Sequence, residues 1–198
     1  MNLRLDRLAQ RLETERLVLR AFEPGDAPAL FELVQASRAH LDPWLLWPGR
    51  MSSLEAVEAW AARPYDGSES NRLGVFTKDR NELLGAAGLR ARSLEPGSSW
   101  LYVDVSYWLG PHALGQGYAT EAARRLAEHA FDDLDAPRVE IRTEPHNERS
   151  NRVAERLGFR FEGVLRAVGQ RRGRPADLAL FALIAGERDV LRSVQRPR

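Results

Sequence analysis

Between Leu101 and Leu134 the hydrophobic period of the chain changes once, across a short loop that carries two glycines. Leu101, Val103, Val105, Tyr107 and Leu109 alternate with Tyr102, Asp104, Ser106 and Trp108, the two-residue period of a strand. From Gln116 onward Ala119, Ala122, Leu126, Ala127, Ala130 and Leu134 recur at helical spacing. Gly115 and Gly117 sit at the junction and permit close backbone approach and unusual dihedrals. The first amides of a helix have no internal partner and lie at the positive end of its dipole, so such a turn can hold a phosphate group. Neither common nucleotide loop is present. No Lys-Ser/Thr follows the second glycine, as a P-loop requires, and the third glycine of a dinucleotide fingerprint is missing.

The elements around this unit read as a mixed α/β chain. Residues 16–22 form a first strand, and Pro24-Gly25-Asp26 turns into a helix carrying Leu30, Leu33 and Val34, with Asp26 as its expected N-cap. Ser52-x-x-Glu55 is a capping box that opens a second helix to about residue 63. Strands are expected over 72–78 and 83–91, joined by Asp79-Arg80-Asn81, then over 100–109, followed by a helix from Gln116 to about Asp133. Residues 138–143 read as a strand and 148–157 as a helix that Gly158 terminates in the left-handed conformation; 161–168 and 178–184 form a closing hairpin. The order is β-α-α-β-β-β-α-β-α-β-β. Residues 1–13 look like an extension with a short amphipathic helix, 14–185 a single domain and 186–198 a tail.

At 198 residues, 43% hydrophobic and 29% charged, the chain suits one soluble domain with one core. A formal charge of +1 gives no reason to invoke nucleic acid or a membrane surface. The absence of cysteine excludes disulfides, thiolate metal sites and a cysteine nucleophile. Residues 1–16 are laced with Arg, Asp and Glu, unlike a signal peptide, and no apolar run approaches the ~20 residues of a membrane span; the expected location is the cytoplasm. His40, His112, His129 and His146 form no i,i+4 pair, so no metal is expected.

Three segments carry a family resemblance: residues 106–122 (Ser-Tyr-Trp-Leu-Gly-Pro-His-Ala-Leu-Gly-Gln-Gly-Tyr-Ala-Thr-Glu-Ala), the run from Asn147 to Ala154 with Leu157-Gly158-Phe159 and Glu162-Gly163-Val164-Leu165-Arg166, and the loop His40-Leu41-Asp42-Pro43-Trp44-Leu45-Leu46-Trp47-Pro48. Together with the element order they resemble the GCN5-related N-acetyltransferases, in particular the ribosomal-protein N-terminal branch. The resemblance covers roughly residues 14–185. It implies an α/β (α+β) fold in which a mixed, mostly antiparallel sheet splays between two central parallel strands, and acetyl-CoA as co-substrate. The implied acceptor is the N-terminal α-amine of a ribosomal protein or another peptide. A small amine (antibiotic, polyamine or amino-acid derivative) and a catalytically inactive acyl-CoA-binding sensor stay open. A homodimer is compatible with the resemblance.

By that resemblance the cofactor lies against Trp108, Leu109, Gly110, Leu114, Gly115, Gln116, Gly117, Tyr118, Ala119 and Thr120, with Asn147 and Asn151 as polar contacts to it. An amide near Leu109 can polarise the acetyl carbonyl; the side chains of Trp108 and Leu109 read equally well as core. Ser150 is the candidate acid toward the departing thiolate, or else only a cap accessory. The tyrosine that many relatives carry on this helix is absent, and a glutamate used as base in some of the branch falls here at Gly169. Asp104 is the candidate that holds a proton-relaying water, its alternative being a strand residue paired with an arginine. His40, Trp44, Trp47 and Tyr65 are expected to wall the acceptor cleft, with Asp66 and Glu69 available to a cationic acceptor. The α-amine is favoured by its pKa: at ~7.7–8.0 it is about a fifth to a third neutral near pH 7.4, against about 0.1% for lysine.

Overall fold

The computed structural model describes residues 3–61, 70–93, 101–171 and 173–193. Eight strands form one sheet in the order β1-β2-β3-β4-β5-β6-β8-β7, and every neighbouring pair is antiparallel except β5 and β6. The strands are β1 (Arg11–Glu13), β2 (Leu17–Ala21), β3 (Leu73–Thr77), β4 (Leu83–Ser93), β5 (Leu101–Leu109), β6 (Arg138–Thr143), β7 (Arg160–Arg171) and β8 (Arg174–Ile184). The helices are α1 (Ala27–Leu41), α2 (Leu54–Ala61), α3 (Tyr118–Asp132), α4 (Glu148–Arg156) and the single turn α5 (Val190–Ser193). The expected order is therefore present, with β1 added before it and α5 after it. Residues 5–7 make one 3-10 turn, and Leu3 and Leu12 lie in the core.

Helices cover both faces of the sheet, so β3 is buried at all five positions and reads as a continuous apolar run. On one face α3 and α4 pack over Leu19, Val75, Leu89, Val103, Val105 and Ile141. Ala122, Ala123, Ala127 and Ala130 keep the contacting side of α3 small, while Leu126 between them is fully buried. Truncating such a leucine costs about 2–5 kcal/mol. On the other face α1 and α2 bury Leu30, Leu33, Val34 and Val57 against Phe22, Phe76 and Ala86. Gly158 ends α4 at φ 79°, Phe159 N–H returns to the Ala154 carbonyl at 3.0 Å, and Val190 fills the space where a Cβ would stand.

Two helix starts differ from the sequence expectation. The Asp26 side chain makes no cap bond to α1; it accepts from the Glu23 amide at 2.8 Å and forms a two-pronged pair with Arg20 at 2.7 and 2.9 Å. A fork-on-carboxylate pair outcompetes one amide because both partners are charged. The cap of α2 is Ser53, whose Oγ accepts from Ala56 N–H at 3.2 Å, so the Ser52–Glu55 box is out of frame by one residue. We expect Ser53→Ala to cost about 1 kcal/mol, a fall in Tm of about 2–4 °C for a chain of this size. Ser52→Ala should leave the melting curve in place; thermal denaturation of the two variants checks the frame.

Candidate active site

β5 and β6 run parallel but pair only at Val103–Val139 and Asp104–Glu140. Beyond that point β5 continues for five residues and β6 for three with no shared register. On its other side β5 stays paired to β4 through Leu109. Gly110 N–H donates to the Leu84 carbonyl at 2.8 Å, and counting back by twos turns the Trp108, Ser106 and Asp104 backbones toward β4. The backbone of Tyr107 and the amide of Leu109 consequently face the side where the parallel ladder has ended. The Leu109 carbonyl is held by His40 Nε2, which donates at 2.9 Å from the C-terminal turn of α1. Gly110 follows: a Cβ there would stand 2.4 Å from Leu33 Cδ1 of α1, so a larger residue would have to move that side-chain tip.

The strand then delivers the chain to α3 through Gly115 and Gly117, both left-handed, at φ 77° and 80°. Leu114 packs on the core beneath. No acceptor is recorded among the described residues for the amides of Gly115, Gln116, Gly117, Tyr118, Ala119 or Thr120. Six such donors at a helix head form a cradle for an anion. Arg16 clamps the loop from the start of β2: its Nη1 donates to the Gln116 carbonyl at 3.1 Å, its Nε to Glu121 at 2.7 Å, and its guanidinium lies 4.5 Å from the Tyr118 ring centre. The Gln116 side chain folds back to the His112 carbonyl at 2.8 Å. Thr120 is buried and lines a cavity of about 480 Å³ with Thr14, Arg16, Glu121, Arg124 and Glu128.

Across the opening, Asn147 caps α4 by accepting from Ser150 N–H at 3.2 Å. Asn151 is committed within the chain: its oxygen accepts from Thr143 Oγ1 and its amide donates to the Pro145 carbonyl at 2.9 Å. Ser150 Oγ lies 3.0 Å from the Tyr107 hydroxyl, which is also 3.2 Å from the Ser150 carbonyl. Burial pushes the Tyr107 phenol up to about 12, the Ser150 hydrogen bond opposing that shift. Asp104, on the opposite face of β5, binds Arg92 Nε through Oδ2 at 3.0 Å. Burial raises its carboxyl above the usual aspartate range, with Arg92 and then Arg142 pulling the other way. Beside it on β6, Glu140 is buried between Arg138 and Arg142, at 2.7 and 2.8 Å.

On that same face Trp47 packs on Trp108 with ring centres 5.2 Å apart, and stacks on Trp60 at 6.2 Å. His40, Trp47 and Trp108 thus come to the end of β5, while Trp44 is half-buried one turn beyond His40. Tyr65, with Asp66 and Glu69, lies outside the described residues. Among the described residues no group of His, Asp or Glu is arranged to hold a metal ion, and no helix is long and apolar enough to cross a membrane. Sequence reading missed Tyr107 and Arg16. Strand alternation assigns Tyr107 a face of β5 but not its partner Ser150, 43 residues on. Nothing in the spacing of Arg16 sets it apart from the other arginines.

An open parallel pair beside a glycine-turned helix head is the geometry of an acyl-CoA-type transferase. Residues 16–160 match the family model described as acetyltransferase (GNAT) domain, and the chain belongs to that family of N-acetyltransferases. It is 30% identical over 159 residues to the [ribosomal protein uS5]-alanine N-acetyltransferase of Escherichia coli, covering 77% of this chain and 79% of that one. Among solved structures it resembles RimL, a ribosomal L7/L12 α-N-protein acetyltransferase in complex with coenzyme A, at 27% identity and a TM-score of 0.73 over 86% of this chain and 95% of that one. The fold is also that of Mycobacterium smegmatis RimJ, 23% identical with a TM-score of 0.73, each chain covered to 90%.

The end of β5 depends on Gly85 across the ladder, where a Cβ would stand 2.1 Å from the Trp108 carbonyl oxygen. Gly85→Ala must therefore displace Trp108 and Leu109. Overpacking of this kind costs about 1–3 kcal/mol, so we expect Tm to fall by about 2–12 °C, together with a loss of acetyl transfer in the folded fraction. Calorimetry paired with a transfer assay below the new Tm separates the two effects.

Proposed function

We propose that this chain transfers an acetyl group from acetyl-CoA to a primary amine, the preferred acceptor being the N-terminal α-amine of a protein or peptide of ribosomal type. The observation that carries the reading is the ended β5–β6 ladder standing next to six unpartnered amides. A pyrophosphate suits those amides, and the pantetheine amides suit the exposed backbone of Tyr107. The Leu109 amide then donates to the thioester carbonyl oxygen. A preorganised donor at a developing oxyanion contributes about 3–4 kcal/mol where it has been removed. His40 holds the Leu109 carbonyl, which fixes the following peptide plane, Leu109–Gly110, and so restrains the backbone next to that donor.

Both reactants bind together. The amine nitrogen bonds to the acetyl carbon, the carbon–sulfur bond breaks, and the electron pair leaves on sulfur. The proton shed by the amine passes to solvent, with Asp104 holding the receiving water, and the thiolate takes a proton from solvent. The chain contains no cysteine to carry an acetyl group as a thioester, in keeping with direct attack. Ser150 donates a hydrogen bond to the leaving sulfur. His40, Trp44, Trp47 and Tyr65 form the acceptor wall, and 14–185 is the catalytic domain. An α-amine needs little help to lose its proton, which suits an Asp104 already engaged by Arg92.

The test is mass spectrometry after incubation with acetyl-CoA and a mixed pool. The pool holds peptides with free Ser, Ala, Asp, Gly or Met N-termini, lysine peptides with blocked N-termini, polyamines and aminoglycosides. We expect one acetyl group on selected N-termini and none on lysine. Gain on a small amine alone would replace the acceptor and keep the chemistry. Binding of acetyl-CoA with no transfer to any amine would overturn the enzyme reading in favour of a sensor. Asp104→Asn should lower kcat/KM by ~10²-fold if its carboxylate organises the proton relay.

A further inference from the structure

Resting on the acetyl-transfer reading above, we propose that Tyr107 is a positioning residue that turns the Ser150 hydroxyl toward the leaving sulfur. Its phenol lies within hydrogen-bond reach of two atoms of one residue, Ser150 Oγ at 3.0 Å and the Ser150 carbonyl at 3.2 Å. The carbonyl can only accept, whereas each hydroxyl can donate once and accept. Two proton arrangements follow. In the closed one, the phenol donates to the carbonyl and Ser150 Oγ–H donates back to the phenol oxygen. In the open one, the phenol donates to Ser150 Oγ and releases the serine proton to point elsewhere. The two differ by rotation about two C–O bonds, with no movement of heavy atoms.

The open arrangement does two things for a thiolate. It directs the Ser150 proton at the sulfur, and the phenol's donation into Oγ polarises that hydroxyl and strengthens its bond. A serine in the first turn of a helix otherwise tends to turn back to a carbonyl of the preceding residues. Tyr107 prevents this. The backbone of Tyr107 faces the end of the parallel ladder, and its side chain crosses to the head of α4, so one residue ties the opening to the serine. The phenol at about 12 and a thiol near ~8.5 are far enough apart that neither hydroxyl surrenders its proton. The pair is a hydrogen-bond donor to a thiolate that leaves as such.

The experiment compares wild type, Tyr107→Phe, Ser150→Ala and the double variant. It measures kcat, KM for acetyl-CoA, and the thiol titration of bound CoA by its ultraviolet thiolate absorbance. Ser150→Ala should lower kcat ~10–100-fold, the range for losing a hydrogen bond to a charged group. Tyr107→Phe should lower it ~5–10-fold with KM within about twofold, and the double variant should be no slower than Ser150→Ala alone. In wild type the bound thiol should titrate about one unit below free CoA and return toward the free value in both single variants. CoA affinity below pH 7 and the melting temperature report whether Tyr107→Phe is folded. The proposal is overturned if folded Tyr107→Phe keeps wild-type kcat and thiol titration, or if the two substitutions multiply independently. The titration needs no turnover. A wild type that shifts the thiol but acetylates nothing would retain Tyr107's role and remove the transferase reading instead.

Discussion

The site depends on a hydrogen-bond ladder that stops. β5 and β6 are the one parallel pair in an otherwise antiparallel sheet, and they are in register for two residues only. A parallel pair needs a crossover between its strands, here α3, and that helix must start where β5 ends. The same connection therefore produces the exposed backbone on β5 and the outward amides at the head of α3. Buried polar backbone is costly unless it is bonded. The open groups of β5 and the six amides of the loop and first turn of α3 are thus a standing demand for a long, polar, anionic-headed partner. Acetyl-CoA has that shape and charge.

Around the opening, several tethers hold the ends in place without filling it. His40 reaches from α1 to the Leu109 carbonyl, Arg16 from β2 to the Gln116 carbonyl, and Asn151 links Thr143 to Pro145 at the β6–α4 turn. Each uses a side chain to satisfy or brace a main-chain segment that secondary structure leaves off. Rigid placement of this kind supplies orientation, which can account for a large part of a bimolecular barrier.

Much of this was legible in the residues. The two-to-3.6 change of period located β5 and α3, and Asn147 and Gly158 marked the two ends of α4. What escaped was the choice of side-chain partner. Asp26 is taken from its cap position by Arg20, six residues away in sequence, because a charged fork binds a carboxylate more strongly than an amide does. The shift of the α2 cap from Ser52 to Ser53 is a one-residue difference between two identical side chains. Tyr107 pairs with Ser150 across 43 residues, and strand alternation says which face it takes but not what it meets there. Asn151, which the resemblance places against the cofactor, also bonds within the chain: its oxygen accepts from Thr143 Oγ1 and its amide donates to the Pro145 carbonyl.

The sheet separates two hydrophobic clusters that have no buried residue in common. One packs α3 and α4 beneath the loop that starts α3; the other packs α1, α2, Trp47, Trp60 and Trp108 against the opposite face. Substitutions in unconnected clusters contribute nearly independently to stability. On the proposed function, the acceptor side can therefore be rebuilt, by new loops between α1 and α2 or new aromatic contacts around Trp47, while the donor side keeps its packing. A chain built this way can change the molecule it modifies in small inherited steps without first having to relearn how to hold its acyl donor.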